Sequence, residues 1–166
     1  LHERITVTND LELVAKSCNV IFPVVPSANL RELIRRMSPY LRPYHILIHG
    51  TKGFDVSLPD NKQLSANRPL SRDYVKTMSE VIMEESSVVR VGCLAGPNLA
   101  GEMAARQPAA SVVASHFDEV INAGQQLLKN ERFLIYGNSD LIGVELCGVL
   151  KNIIAIGAGV IHGLGL

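Results

Sequence analysis

Short apolar runs alternate with stretches of helical periodicity along most of this sequence, and that alternation limits the possible folds more than any other feature. Residues 20–25, 44–48, 88–95, 109–114 and 132–136 are of strand length and rich in β-branched and other apolar side chains. A strand wetted on one face alternates polar with apolar positions, whereas a run that is apolar throughout needs cover on both faces. Helical spacing fills the intervals: an amphipathic stretch at 27–37, another at 71–85 with Val75, Met78, Ile82 and Met83 on one side, and a third ending near Lys129. The pattern predicts α/β architecture, a mostly parallel sheet flanked by helices and followed by a long helix over 140–160. Near the start, residues 4–8 read as one more strand, and Asn9-Asp10-Leu11-Glu12 as a capping box opening a short helix. A helix with Pro97 in its first position is expected after 88–95, and Ser115-His116-Phe117-Asp118 reads as the capping box of the helix ending near Lys129.

Composition excludes several function classes. Lys+Arg and Asp+Glu are equal at 16 each, so no overall field recruits nucleic acid or an anionic membrane, and affinity for a charged ligand must be built locally. Cys18, Cys93 and Cys147 are an odd, widely spaced set in apolar contexts, which predicts buried, reduced thiols in a cytoplasmic protein. The five histidines have no metal-site spacing, and no secretory signal is visible. Residues 141–161 approach the length of a membrane span but include Glu145, Lys151 and Asn152. A charge near the bilayer centre costs about 2.5–3.5 kcal/mol on insertion scales, so the expectation is a buried helix with no membrane span. The missing initiator Met and the stop at Leu166 suggest a fragment. Residues 55–69, with two prolines and few apolar side chains, read as an exposed insertion, either a flap or an inert excursion.

Three places could carry chemistry. In open parallel sheets ligands collect at the carboxyl ends of strands. His49-Gly50-Thr51-Lys52-Gly53 follows one such run; its glycines permit a tight turn and Lys52 is a point charge suited to a phosphate or carbonyl oxygen, although a surface lysine in a turn has the same sequence. Gly96-Pro97-Asn98-Leu99-Ala100-Gly101 follows another and reads either as an anion-binding helix start or as structural punctuation. Within the long helix, Val144, Gly148, Lys151 and Ala155 share one face, so Lys151 emerges among small residues. Glu145 lies six positions before it, outside the usual helical pairing distances. A lysine in apolar surroundings has its pKa lowered and serves as a general acid or base; a snorkelling structural lysine is the other reading. No Gly-x-Ser-x-Gly elbow, P-loop or Gly-x-Gly-x-x-Gly fingerprint is present.

With these sites in place, the chain resembles the NAD(P)-dependent glycerol-3-phosphate dehydrogenase family over nearly its whole length. The matching pieces occur in family order: residues 21–27, Gly50-Thr51-Lys52-Gly53, residues 78–82, residues 94–100, and the highly specific Gly143-Val144-Glu145-Leu146-Cys147-Gly148-Val149-Leu150-Lys151-Asn152 with its continuation to Gly159. The resemblance implies a Rossmann-like NAD(P)-binding domain over 1–137, partial here, and the start of a helical substrate domain over 138–166. It implies reversible hydride transfer between sn-glycerol 3-phosphate and NAD or NADP, supplying glycerol 3-phosphate for phospholipid synthesis in the cytoplasm. The substrate is thus a small phosphorylated triose or polyol, and the full-length protein is expected to be a homodimer that binds no nucleic acid or metal. Lys151 matches the catalytic lysine that exchanges a proton with the substrate C2 oxygen. Lys52 matches a lysine near both cofactor and substrate, Gly96, Asn98 and Asn152 match substrate-pocket positions, and Ala100 matches a cofactor contact. The chain departs from the family at Asn98, where many relatives have Ser, at His162, often Asp, and in the longer insertion at 55–69. The glycine-rich first turn and most of the helical domain lie outside the sequence. Two other readings fit less of it: a different hydroxyacid dehydrogenase of the same two-domain group, and a non-catalytic module that keeps the fold.

Overall fold

The computed structural model of the protein describes residues 2–57 and 71–165. Along the chain the elements are α1 (Leu11–Ser17), β1 (Val20–Ile21), α2 (Ser27–Met37), β2 (Ile46–His49), β3 (Asp55–Val56), a 3-10 turn (Arg72–Tyr74), β4 (Val75–Lys76), α3 (Met78–Glu85), β5 (Arg90–Ala95), α4 (Ala100–Ala104), β6 (Ala109–Ser115), α5 (Asp118–Leu128), β7 (Phe133–Asn138) and α6 (Leu141–Gly163). Five strands form one sheet in the order β1-β2-β5-β6-β7. The β1/β2, β2/β5 and β6/β7 pairs are parallel, and β5/β6 is antiparallel. The sheet is therefore mixed but mostly parallel, Rossmann-like, with helices on both faces and a long helix at its end.

Side-chain alternation along the strands sorts the core. On one face Ile21, Leu47 and Val91 pack under Leu30, Ile34, Met37, Val81 and Ile82 of α2 and α3. On the other, Ile46, Ile48, Val113 and Ile135 pack against Val120 of α5. Gly124 brings α5 close to the sheet, since a Cβ there would lie 2.9 Å from Val113 and 3.2 Å from Ile48. The start of α6 sits on the first face, where Leu141 covers Cys93 and Ala114. The register places His49, Cys93, Ala114 and Asn138 in one row across four strands.

Several sequence expectations need correction. Residues 4–8 form no strand; Ile5 and Val7 are exposed, and no strand among the described residues pairs with them. The cap of α1 is Asp10, which accepts from the Leu13 amide, so the helix starts one residue later than a cap at Asn9 would give. The run at 20–25 pairs only through Ile21, because Pro23 has no N–H to continue the ladder and Pro26 opens α2. The helix expected over 71–85 begins at Met78: Thr77 and Glu80 form a reciprocal capping box, and the residues before it pair β4 with β3. That antiparallel ribbon carries the two ends of the segment read as an insertion, of which 58–69 lie outside the described residues.

Pro97 is not a first helical residue, since α4 starts at Ala100 behind Leu99. Ser115 does not cap α5 either, because it completes β6 and donates to the Val91 carbonyl. Among the thiols only Cys93 is buried, while Cys18 and Cys147 are exposed. The long helix, expected to be buried, buries only Leu141 and Glu145, as no other described element covers its remainder. By length and composition alone, Leu141–Gly163 is long and apolar enough to cross a membrane.

Candidate active site

Each candidate residue is placed by a local feature of the sequence. The start of α6 is fixed by Asp140, whose carboxylate accepts from the Gly143 amide at 2.9 Å. From that cap, Val144, Gly148 and Lys151 follow on one face, as their spacing predicts, and meet the end of β5. The result is a hollow of about 400 Å³ lined by Gly96, Pro97, Val144, Cys147, Gly148 and Lys151, among others. A Cβ on Gly148 would meet nothing within 4 Å, so the glycine leaves the face open beside Lys151. Lys151 itself is exposed and forms no hydrogen bond or ion pair to another described residue. It is not enclosed by apolar side chains, as its sequence context had suggested.

The loop after β2 brings Lys52 to the same edge. Thr51 is buried and donates through Oγ1 to the Val25 carbonyl at 2.8 Å, which ties this loop to the one after β1. Gly53 has φ 143°, a backbone conformation that strains any other residue, and a Cβ there would lie 2.7 Å from Ser27. Between these two fixed points Lys52 is exposed, and its Nζ lies 3.4 Å from the Gly96 carbonyl. Gly96 is tightly constrained: a Cβ would sit 2.3 Å from Ser111 Oγ and 2.8 Å from the Ala110 carbonyl.

The structure thus sets Gly96 and Lys151 around one hollow, places Lys52 in the adjoining cleft, and leaves the other candidates apart. Ser111 Oγ donates to Asn98 Oδ1 at 2.7 Å. Ser111 alternates with Val112, which lines the hollow, so Asn98 is held toward the opposite face of β6. Ala100 is exposed at the start of α4, and Asn152 is exposed on α6, one residue beyond Lys151 and rotated away from it.

Behind Lys52 lies a buried polar cluster that no motif or spacing singled out. Glu145, 8% exposed, points from α6 toward His49 at the end of β2, 1% exposed. His49 Nε2 lies 3.0 Å from Glu145 Oε1 and 3.1 Å from Ser79 Oγ. The Ser79 amide, in the first turn of α3, donates to the same carboxylate oxygen at 3.0 Å. Burial works against the charge on Glu145, but the bonds from His49 and Ser79 outweigh it and hold the carboxyl below its ordinary value. The Cys93 thiol beneath is pushed up to about 12, first by burial and then by the Glu145 charge, so it stays protonated and inert. One sequence signal pointed here: Glu145 stands on an apolar helix with Leu141, Ile142, Gly148 and Val149 at the helical pairing positions, and must find its partner elsewhere.

Comparisons with known proteins bear on the family and the fold. The family model for the NAD-dependent glycerol-3-phosphate dehydrogenase N-terminus matches residues 1–121, and that for the C-terminus matches 140–166. Glycerol-3-phosphate dehydrogenase [NAD(P)+] of Saccharophagus degradans is 37% identical over 165 residues, covering 99% of this chain and 42% of its own. The crystal structure of glycerol-3-phosphate dehydrogenase from Coxiella burnetii has a TM-score of 0.71 at 34% identity, covering 94% of this chain and 43% of that one. The enzyme from Saccharomyces cerevisiae has a TM-score of 0.76 at 25% identity, with coverage of 95% and 43%. The chain therefore spans less than half the length of these relatives. With the N-terminal model matching most of its residues, the chain belongs to the NAD-dependent glycerol-3-phosphate dehydrogenase family.

Proposed function

We propose that the full-length protein interconverts sn-glycerol 3-phosphate and dihydroxyacetone phosphate with NAD or NADP, and that Lys151 is its proton-transfer residue. The observation that supports this reading is the hollow between α6 and the end of β5 that Gly96 and Lys151 line, with Lys52 in the adjoining cleft 3.4 Å from the Gly96 carbonyl, in a chain of this family. In the reduction direction the Lys151 ammonium donates to the substrate C2 oxygen as negative charge develops there, and in oxidation the neutral amine takes the proton back. Lys52 contributes positive charge at the mouth, and Gly96, Asn98 and Asn152 are assigned to the substrate side.

Lys52 and Ala100 are assigned to the cofactor, and the residues present fit one on this edge. The tight glycines Gly53 and Gly96 let backbone approach closely at the ends of β2 and β5, and Lys52 stands between them. The bound nicotinamide supplies or accepts the hydride. Residues 1–137 then belong to the nucleotide-binding domain and 138–166 begin the substrate domain, a division supported by the passage from β7 to α6. The homodimer, the cytoplasmic setting and the supply of phospholipid synthesis rest on the family resemblance.

The test is steady-state kinetics of the full-length protein with dihydroxyacetone phosphate and reduced cofactor. Lys151→Ala should lower kcat by on the order of 10³-fold, within the range for losing a general acid, while its circular dichroism melt stays close to wild type. Preference for a non-phosphorylated hydroxyacid, or near-wild-type turnover by Lys151→Ala, would overturn the proposal.

A further inference from the structure

The His49–Glu145–Ser79 cluster has no part in the proton transfer proposed above, yet it is the only buried polar contact between α6 and the sheet among the described residues. We propose that His49, Glu145 and Ser79 form a joint that positions Lys151. The inference rests on the proposed role of Lys151.

Geometry carries it. Only Leu141 and Glu145 of α6 are buried, and Leu141 makes non-directional contacts with Cys93 and Ala114. Glu145 is thus the one directional anchor of the helix. Its carboxylate reaches the end of β2 through His49 and the first turn of α3 through the Ser79 amide, at 3.0 Å each. A carboxylate at a helix N-terminus meets free amides and the positive end of the helix dipole, so its position there is well defined. Lys151 follows six residues later, about 9 Å along the axis and roughly 120° around it. Fixing Glu145 against two elements therefore fixes both the height and the rotation of Lys151 over the hollow.

Stability alone does not account for the cluster. Buried polar pairs are often no more stabilising than apolar residues of the same volume. This cluster also leaves two buried atoms, His49 Nδ1 and Glu145 Oε2, without a hydrogen-bond partner among the described residues. Direction is what the polar pair adds over a greasy contact. The groups facing the carboxylate are His49 from β2, Ser79 from α3, the protonated Cys93 from β5, and Lys52, which lines the same narrow cleft. Glu145, buried behind Lys52, is accordingly assigned as a positioning residue that acts through Lys151.

The test uses the full-length protein with Glu145→Gln, His49→Phe, and both together. Expected is a fall in kcat of roughly 10- to 100-fold for each single variant, the scale of a misplaced catalytic group. The cofactor KM should stay near wild type, and the double variant should be no worse than the poorer single one, because the two residues act as a unit. Hydrogen exchange of the amides over 146–152 should quicken in each variant, with a cooperative melt retained. Should Glu145→Gln fail to fold, His49→Phe, which keeps an aromatic ring in place, carries the same test. A folded variant within about twofold of wild-type kcat, or losses that add across the pair, would overturn the joint. If wild-type protein shows no turnover of the phosphorylated substrate, the proposed reaction fails and the exchange measurement decides the joint: faster exchange supports it and unchanged exchange overturns it.

Discussion

Gly96 illustrates how much of this site is set by single residues. The absent side chain lets β5 leave the sheet against β6 and leaves the Gly96 carbonyl facing Lys52. Gly96→Ala would drive a methyl into the Ser111 hydroxyl and, at 2.8 and 3.0 Å, into the Ala110 carbonyl and Ser111 Cα, which are backbone and cannot swing aside. The expected cost is about 1–3 kcal/mol, the usual scale of overpacking. A lower melting temperature should accompany a reduced kcat/KM in full-length protein, because the displaced backbone carries the wall of the hollow. Lys52 and Lys151 stand out in the sequence because glycines lie next to the first and one helical turn before the second, and Gly96 because it ends an apolar run. His49, Ser79 and Glu145 do not: the last two are 66 positions apart, and only folding brings α3 and α6 together. The environment of Lys151 was misjudged for a related reason, since apolar neighbours along a helix say nothing about which of them will be covered.

Among the elements, α2 was readable to the residue and α6 at its start, where Pro26 and Asp140 mark the boundaries, although α6 continues past the expected end at 160 to Gly163. The stretch at 71–77 misled because Val75 continues the helical spacing, yet the pairing of β4 with β3 overrides it. That ribbon is held to α2 by Arg31, whose Nη2 lies 2.7 Å from Asp55 Oδ2 and whose Nη1 bonds Glu85 of α3. The three side chains are mostly buried, so this cluster differs from an exposed surface pair. The Arg31 guanidinium is the first cause holding Asp55 below its ordinary value of 3.8, and Arg35, followed by Arg31, lowers Glu85 from 4.5. Lowered carboxylate pKa values stabilise the fold above the ordinary values, and the contribution is lost as pH falls through the depressed ones. Arg31→Met should therefore cost about 1–3 kcal/mol at pH 7, from stranded partially buried acids. Urea melts should show that difference shrinking as pH falls below the ordinary carboxylate values. A pH-independent difference would mean that Arg31 acts through packing alone.

For the whole molecule, the open question is what covers the second half of α6. Ile153, Ile154, Ile156, Val160, Ile161 and Leu164 are all at least half exposed. By helical angle they form one broad arc, while Lys151, Asn152, Ala155, Ala158, Gly159 and His162 form the opposite one. A helix surrounded by lipid is apolar all round, whereas this one has a bulky apolar arc and a small or polar arc, the pattern of a helix packed within protein. Covering six such side chains is worth on the order of 10 kcal/mol, comparable to the whole stability of a domain. In a family whose members extend well beyond this chain's length, that surface is expected to pack against further polypeptide. Amide exchange over 153–161 should accordingly be far slower in the full-length protein than in the 166-residue chain. The isolated chain should self-associate in sedimentation runs, and Ile154→Glu should reduce that association. Full-length protein that floats with phospholipid vesicles while these amides remain protected would instead make the apolar arc a lipid-facing surface.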